Sequence, residues 1–335
     1  MPHGQLWPAH PKPLPDELLS SWMVRVAEAN AIKLQTMSRL LYGTERTPWN
    51  RDIDRFAPKW LLSEICRHTG VTYWAAFHTT LATYRNLLYS RRRLSGQLTW
   101  VLVNMNYGTS QRGFGMQFCP MCLAEDAVPY FRKQWRLALY TYCPIHQGML
   151  LDACPTCGAS VSYFRRDFGR DLKDALDIQH CHSCGFDLRH SKFHSPRMPD
   201  DDVHRRFDTI LYSLANTQRI SYSNQYGFFA VLHQLCRIMC MRENDGRLLT
   251  FVLSQLNCSD EIVQHTSRPI ECLRIDERHT LLIAALWLLE DPSPRLKLAW
   301  EKKTVRYTNF VKDFSSTPLW YSQVVDPFRA KSHKV

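Results

Sequence analysis

Apolar positions recur with helical spacing along most of the chain. Leu18, Leu19, Trp22, Met23, Val26 and Ala27 fall on one face of a helix that Pro15-Asp16-Glu17 is predicted to open, with acidic residues in its first turn. Leu40 and Leu41 belong to a second helix, stopped by Gly43, and a linker follows around Thr47-Pro48-Trp49-Asn50. Pro58 stands where a helix begins, and Leu61, Leu62, Ile65 and Cys66 give that helix one apolar face. Thr69-Gly70-Val71 makes a tight turn, and Thr72 caps a further helix that the pattern carries past Phe77 and Leu81. Together these read as a helix-turn-helix.

Such a motif usually offers its second helix to a DNA groove. Here the candidate reading face carries Tyr73, Trp74, Phe77 and His78, with no Arg, Lys, Asn or Gln before Arg85. That set suits packing or protein binding at least as well as base readout, which needs bidentate polar side chains. Tyr73 and Trp74 are the candidates for a partner interface, and core packing between the two helices is the competing reading. The run Arg91-Arg92-Arg93, with Arg85, is the candidate for phosphate contact, or equally a solvated helix end. The last third of the chain is also helical by pattern. Phe207, Ile210, Leu211 and Leu214 share a face, further helices fall at 228–241 and 247–256, and 280–289 is apolar on every side, as in a buried central helix. Asp291-Pro292-Ser293-Pro294 breaks the chain after it.

Cysteine changes this picture. Seven of the twelve cysteines lie between Cys119 and Cys184, in four knuckles: Cys119-Pro120-Met121-Cys122, Cys143-Pro144-Ile145-His146, Cys154-Pro155-Thr156-Cys157 and Cys181-His182-Ser183-Cys184. A two-residue gap lets both side chains of one turn reach a single tetrahedral ion. Pairing neighbours gives a three-thiolate, one-imidazole site from Cys119, Cys122, Cys143 and His146, and an all-thiolate site from Cys154, Cys157, Cys181 and Cys184. Interleaved pairing of the knuckles and recruitment of His180 or His182 are the alternatives. Gly158 and Gly185 follow their knuckles at places where the chain needs positive φ. With four protein ligands each, the sites are expected to hold two structural zinc ions, with no open position for a reacting water. Cys66, Cys236, Cys240, Cys258 and Cys272 read as core thiols. The expected architecture is mainly α with small zinc-ribbon β elements, in three parts: a helical, helix-turn-helix domain over residues 1–115, tandem zinc ribbons over 116–195 and a helical domain over 196–335.

The formal charge of +11 is concentrated early. Residues 1–115 carry 14 basic and 7 acidic side chains, a net of +7, whereas residues 116–195 carry 9 and 8, a net of +1. Two bound zinc ions with seven thiolates would make the ribbons anionic, so any phosphate-facing surface is expected in the first part. The longest apolar run, residues 281–289, is shorter than the ~20 residues a membrane span needs. The opening residues lack the layout of a secretory signal, so the cysteines are expected to stay reduced, in a cytoplasmic protein.

Enzyme signatures are missing from the sequence. There is no Gly-Lys-Ser/Thr phosphate loop, no G-x-S-x-G elbow, no H-E-x-x-H, and no H-x-E joined to P-C-x-x-C. A non-catalytic protein is expected.

Cys119-Pro120-Met121-Cys122-Leu123, Glu125-Asp126, Pro129-Tyr130-Phe131-Arg132, Gln134-Trp135-Arg136-Leu137, Cys143-Pro144-Ile145-His146, Leu150 and Cys154-Pro155-Thr156-Cys157-Gly158 together resemble the TniQ/TnsD family of transposon target-selection proteins. The opening Pro15-Asp16-Glu17-Leu18-Leu19-Ser20-Ser21-Trp22, with Arg25 and Ala27, is similar to the family's start. The resemblance is close over roughly the first 160 residues, looser to Cys184, and only general beyond. It implies a non-catalytic adaptor that marks an insertion site and recruits a TnsC-like AAA+ ATPase regulator. Some members bind an attachment site in DNA directly. Others dock as a dimer on an RNA-guided Cascade complex with its crRNA. The weak base-reading helix and a length short of the direct binders favour the RNA-guided branch. A zinc-ribbon transcription regulator that reads DNA through its helix-turn-helix is the alternative.

Overall fold

The computed structural model describes residues 6–46, 48–90, 97–104, 106–107, 110–111, 114–215, 225–241, 247–258 and 268–331. The chain packs into two units. The first comprises residues 1–85, 94–96 and 102–195, and the second residues 86–93, 97–101 and 196–335. Helices dominate both. Regular strands among the described residues are confined to two antiparallel two-residue pairs in the first unit, β1 (Asn106–Tyr107) with β2 (Ser110–Gln111) and β3 (Tyr142–Cys143) with β4 (Gly148–Met149).

In the first unit, α1 (Leu19–Ala29) buries the face its apolar spacing marks out, α2 (Leu34–Tyr42) buries Leu34, Met37 and Leu41 but leaves Leu40 exposed, and Gly43 ends α2 at φ +75°. α1 starts later than the acidic signature predicts. Asp16 sits in a turn at φ +54°, and Glu17 pairs with Arg132 in an isolated antiparallel bridge. The buried Glu17 carboxylate accepts from Leu14 N, Ser21 Oγ and Arg25 Nε, so it anchors the approach to the helix instead of lying in its first turn. Phe131 O accepts from Leu18 N, Phe131 N donates to Ser21 Oγ, and Lys133 N donates to Asp16 O. The Pro15–Trp22 string and the Tyr130–Leu137 string, far apart in sequence, are therefore zipped together.

α3 (Lys59–Thr69) turns at Gly70, φ +64°, into α4 (Tyr73–Phe77), whose first turn is capped by Thr72 Oγ1 accepting from Ala75 N. α4 does not run past Leu81 as the pattern predicts. Thr79 Oγ1 bonds Ala76 O at 2.6 Å and Thr80 Oγ1 bonds Phe77 O at 2.7 Å, occupying carbonyls that a longer helix would use. Leu81 N then bonds Asp54 O, pulling the chain off the helix path into a 3-10 turn, Leu81–Tyr84.

The core of this unit contains charge. Arg136 is fully buried. Its guanidinium donates to Asp52, to Asp54 Oδ2 at 3.3 Å and to Leu102 O at 3.2 Å. Asp54 in turn accepts from Ser20 N at 2.8 Å and Ser20 Oγ at 2.7 Å, and Ser20 Oγ meets the Tyr163 hydroxyl. Burial pushes the Asp54 carboxyl up to about 6 although Arg136 pulls the other way.

The second unit is built around α9 (Ile275–Glu290), buried on nearly every side as its uniform apolarity predicts. It packs against α6 (Asp201–Ala215), α7 (Gln225–Cys240), α8 (Arg247–Gln255) and α10 (Pro292–Glu301), and α11 (Tyr307–Val311) and α12 (Leu319–Val325) complete the unit. α6 turns Phe207, Ile210, Leu211 and Leu214 inward. Residues 97–101 belong here through Trp100. It is fully buried at φ +65°, its N bonds Glu271 Oε1 at 2.8 Å and its indole N–H bonds Phe229 O. Of the five thiols predicted to be core, only Cys236 and Cys240 on α7 are buried. Cys66 is half-buried at the edge of the α3 face, and Cys258 and Cys272 are half-buried outside the long helices.

Removing the counter-ion of a buried charge costs far more than the pair contributes. Arg136→Met is expected to lower stability by about 3–5 kcal/mol in urea unfolding of the full chain, by stranding Asp54. A loss under ~1 kcal/mol would contradict this account of the core.

Candidate functional site

The four knuckles meet two by two. The ligand atoms of Cys119, Cys122, Cys143 and His146 form one group and those of Cys154, Cys157, Cys181 and Cys184 another, each with all its atoms within 4.8 Å of one another. The pairing is of sequence neighbours, and neither His180 nor His182 joins a group. His180 Nδ1 instead lies 3.8 Å from Asp177, and His182, pushed down to about 4 by burial and by Arg165 and Arg170, lines a hollow with those arginines and Phe168.

Local backbone chemistry builds each knuckle. Cys119 is the N-cap of α5 (Pro120–Glu125), with Pro120 at its first position, and its sulfur accepts from Cys122 N at 3.5 Å. The β3–β4 hairpin carries Cys143 and His146 around a turn whose left-handed residue is Gln147, φ +49°, its side chain tied to Pro144 O. In the other group, Gly158 N bonds Cys154 O and Gly185 N bonds Cys181 O, each at 2.9 Å, with φ +71° and +77°.

The spacing within the groups fits a metal ion. A tetrahedral zinc with Zn–S bonds of ~2.3 Å and Zn–N bonds of ~2.0 Å holds its sulfurs about 3.8 Å apart and each sulfur about 3.5 Å from the nitrogen. Cys122 and Cys143 Sγ are 3.7 Å apart, and His146 Nδ1 lies 3.4, 3.4 and 3.5 Å from the sulfurs of Cys119, Cys122 and Cys143. In the second group Cys154–Cys184 and Cys157–Cys181 are 3.7 and 3.6 Å apart. A disulfide needs ~2.05 Å, so none of these sulfurs is bonded to another. Hydrogen bonds from the Cys119 and Cys122 thiols favour the thiolate form of Cys143. A divalent ion would take all three sulfurs as thiolates. Either group can hold a metal ion, and each supplies a complete four-ligand shell.

The remaining candidates are separate from these groups. Trp74 is 68% exposed and Tyr73 41%, so neither is a core residue of the helix pair; Ala76 is the buried position of α4. Trp74 stacks on Phe77 with centroids 5.8 Å apart, and His78 meets it edge-on at 4.4 Å. Arg85 is exposed at the end of the 3-10 turn. Arg91, Arg92 and Arg93 lie outside the described residues.

Sequence reading missed Glu125, whose Oε2 sits 2.9 Å from His146 Nε2, and Gln147. Gln147 occupies the place after its knuckle that Gly158 and Gly185 occupy after theirs, a signal that was present but masked by the residue type.

Two four-ligand groups that can each hold a metal ion thus sit on a mainly helical chain, and the comparison with family models says of which kind it is. Residues 8–150 match the model of the TniQ family, so this part of the chain belongs to that family, as the resemblance implied. The match takes in α1 to α5, the aromatic face and all four ligands of the mixed centre; the all-thiolate centre and residues 196–335 of the second unit lie beyond it. It connects the chain with target selection in transposition. None of the curated proteins compared matches the chain. Among the described residues, no helix is long and apolar enough to cross a membrane.

A Cβ at Gly158 would meet nothing within 4 Å, so Ala there is opposed by backbone conformation alone. Left-handed φ costs an ordinary residue ~1–2 kcal/mol. Gly158→Ala and Gly185→Ala are each expected to weaken metal retention by the all-thiolate centre about five- to thirtyfold in a chelator competition, leaving the mixed centre unchanged.

Proposed function

We propose that this protein is a non-catalytic adaptor for target-site selection in DNA transposition, which docks on an RNA-guided Cascade complex and recruits a TnsC-like AAA+ ATPase regulator. The TniQ match over residues 8–150 carries the reading. The exposed Tyr73–Trp74 pair supports it, because large aromatics displayed on a rigid element are the usual anchors of protein interfaces. An adaptor needs no chemistry of its own; it raises the effective concentration of one partner at the other's position. A homodimer would present two copies of that face. The metal in both centres is zinc, in a structural role: thiolate and imidazole donors in tetrahedral spacing select it, and four protein ligands leave no place for a substrate.

Elemental analysis of the purified full chain is expected to give two zinc ions per chain. Cys119→Ala and Cys181→Ala are each expected to lose one ion and the fold around it, because structural zinc carries ~10–16 kcal/mol of apparent binding energy. One ion or none in the folded wild-type chain would end the zinc reading.

Co-expression with a crRNA-loaded Cascade, and separately with the ATPase regulator, tests the adaptor reading. Wild-type protein is expected to co-purify with both. Tyr73→Ala combined with Trp74→Ala should abolish at least one of the two captures and targeted insertion, with the thermal transition and metal content unchanged. Failure of the wild-type chain to capture either partner, with nanomolar binding to one DNA duplex at physiological salt, would favour direct DNA recognition through Arg85 and Arg91–Arg93, in an attachment-site binder or a transcription regulator.

A further inference from the structure

We propose that Glu125 is the positioning residue of the mixed centre: its carboxylate accepts the Nε2–H of His146, fixing the imidazole tautomer and leaving Nδ1 as the atom that binds the metal. The inference rests on the zinc reading of that centre. The imidazole is held at both of its nitrogens. Nδ1 faces the three sulfurs at 3.4, 3.4 and 3.5 Å, and Nε2 faces Glu125 Oε2 at 2.9 Å. An imidazole that coordinates through one nitrogen must carry its proton on the other, and a carboxylate is the strongest acceptor for it.

The arrangement comes from one short helix. α5 begins at the Cys119 cap, carries Cys122 in its first turn and ends at Glu125. Cys122 and Glu125 are three residues apart, so they project from the same side of the helix. The hairpin then only has to place His146 between a sulfur donor and a carboxylate acceptor already spaced by α5. The His146 side chain is 12% exposed and the Glu125 side chain 60%, so water screens the carboxylate. Its effect therefore belongs at the lower end of the 10- to 100-fold range that outer-sphere partners contribute to metal affinity. Electrostatics follows the same direction. Three thiolates, one imidazole and a zinc ion total −1, and Glu125 brings the mixed centre and its surroundings to −2, the charge of the all-thiolate centre.

The test uses the full chain, stripped of metal under reducing, oxygen-free conditions, reloaded with zinc, and titrated with a chromophoric chelator that resolves the two ions. The wild-type chain takes up two. Glu125→Ala is expected to lower the affinity of one ion about tenfold and leave the other unchanged. Glu125→Gln should keep most of the wild-type affinity, since an amide oxygen also accepts the Nε2–H. Cobalt(II) in place of zinc gives a second readout: Glu125→Ala should shift the ligand-field bands of the three-sulfur, one-nitrogen centre and not those of the four-sulfur centre. Unchanged affinity at both ions, or a loss shared equally by both, would overturn the proposal while leaving the zinc reading intact. A wild-type chain that takes up no zinc would overturn both.

Discussion

The first unit depends on the burial of Arg136. A guanidinium cannot shed its charge, so a fold that buries it must bring carboxylates to it. Asp52 and Asp54 come from the connection after α2, Ser20 from α1 orients Asp54, and Tyr163 from beyond the third knuckle closes on Ser20. One cation therefore draws together α1, the loop before α3 and the chain on both sides of the second and third knuckles. Two carboxylates face one guanidinium, and burial drives Asp54 toward its protonated form. The sign of the linkage follows. An acid whose folded pKa is raised favours folding below the unfolded value, and that contribution fades as pH climbs from about 4 to about 6. The buried cluster thus orders the unit at the cost of some stability near neutral pH.

The second constraint is the poverty of regular structure between Phe118 and Ser195. The short α5, two-residue strands and single 3-10 turns bury too few backbone groups to stand alone. Two four-ligand groups, each able to hold a metal ion, would substitute for the missing ladder by tying knuckle to knuckle. The isolated bridges Phe118–Leu151, Ala153–Ser160 and His180–Asp187 lie beside ligands and not between long strands, as expected where cross-links fix the chain and hydrogen bonds fill in around them. Gly148 lies so close to the Phe193 ring that a Cβ there would overlap it, which shows how tightly the later segment is laid on the hairpin.

Elements whose structure is set by local spacing could be read from the sequence. The C-x-x-C and C-x-x-H knuckles, the left-handed glycines 158 and 185, the turn at Gly70, the Thr72 cap and the all-round burial of α9 follow from residue type and period alone. What could not be read depends on partners distant in the chain. Glu17 looks like a helix-opening acid until Arg25 and the 130–133 segment are placed beside it. α4 looks long until Thr79 and Thr80 turn their hydroxyls on its carbonyls and Asp54 captures Leu81 N. Trp100, an ordinary aromatic in sequence, adopts a left-handed conformation because Glu271 and Phe229 hold its two nitrogens. Glu125 shows the same limit at the candidate site: the knuckle spacing names four ligands, while the group behind the imidazole depends on how α5 meets the hairpin.

These features bear jointly on how the proposed adaptor would act. A surface that recognises another macromolecule gains affinity when its anchors are already held in place, since ordering a side chain on binding costs ~0.5–1.5 kcal/mol each time. α4 is too short to be stable as an isolated helix. It is held instead by the Thr72 cap at one end, by the Thr79 and Thr80 hydroxyls at the other, and by Ala76 packed beneath it. α4 is therefore a short stub that displays Trp74, stacked on Phe77 and edged by His78. Such a stub suits a fixed docking face better than insertion into a DNA groove, where length and polar side chains matter. That capped, aromatic-bearing turn is the physical support for the adaptor we propose, beside the TniQ match.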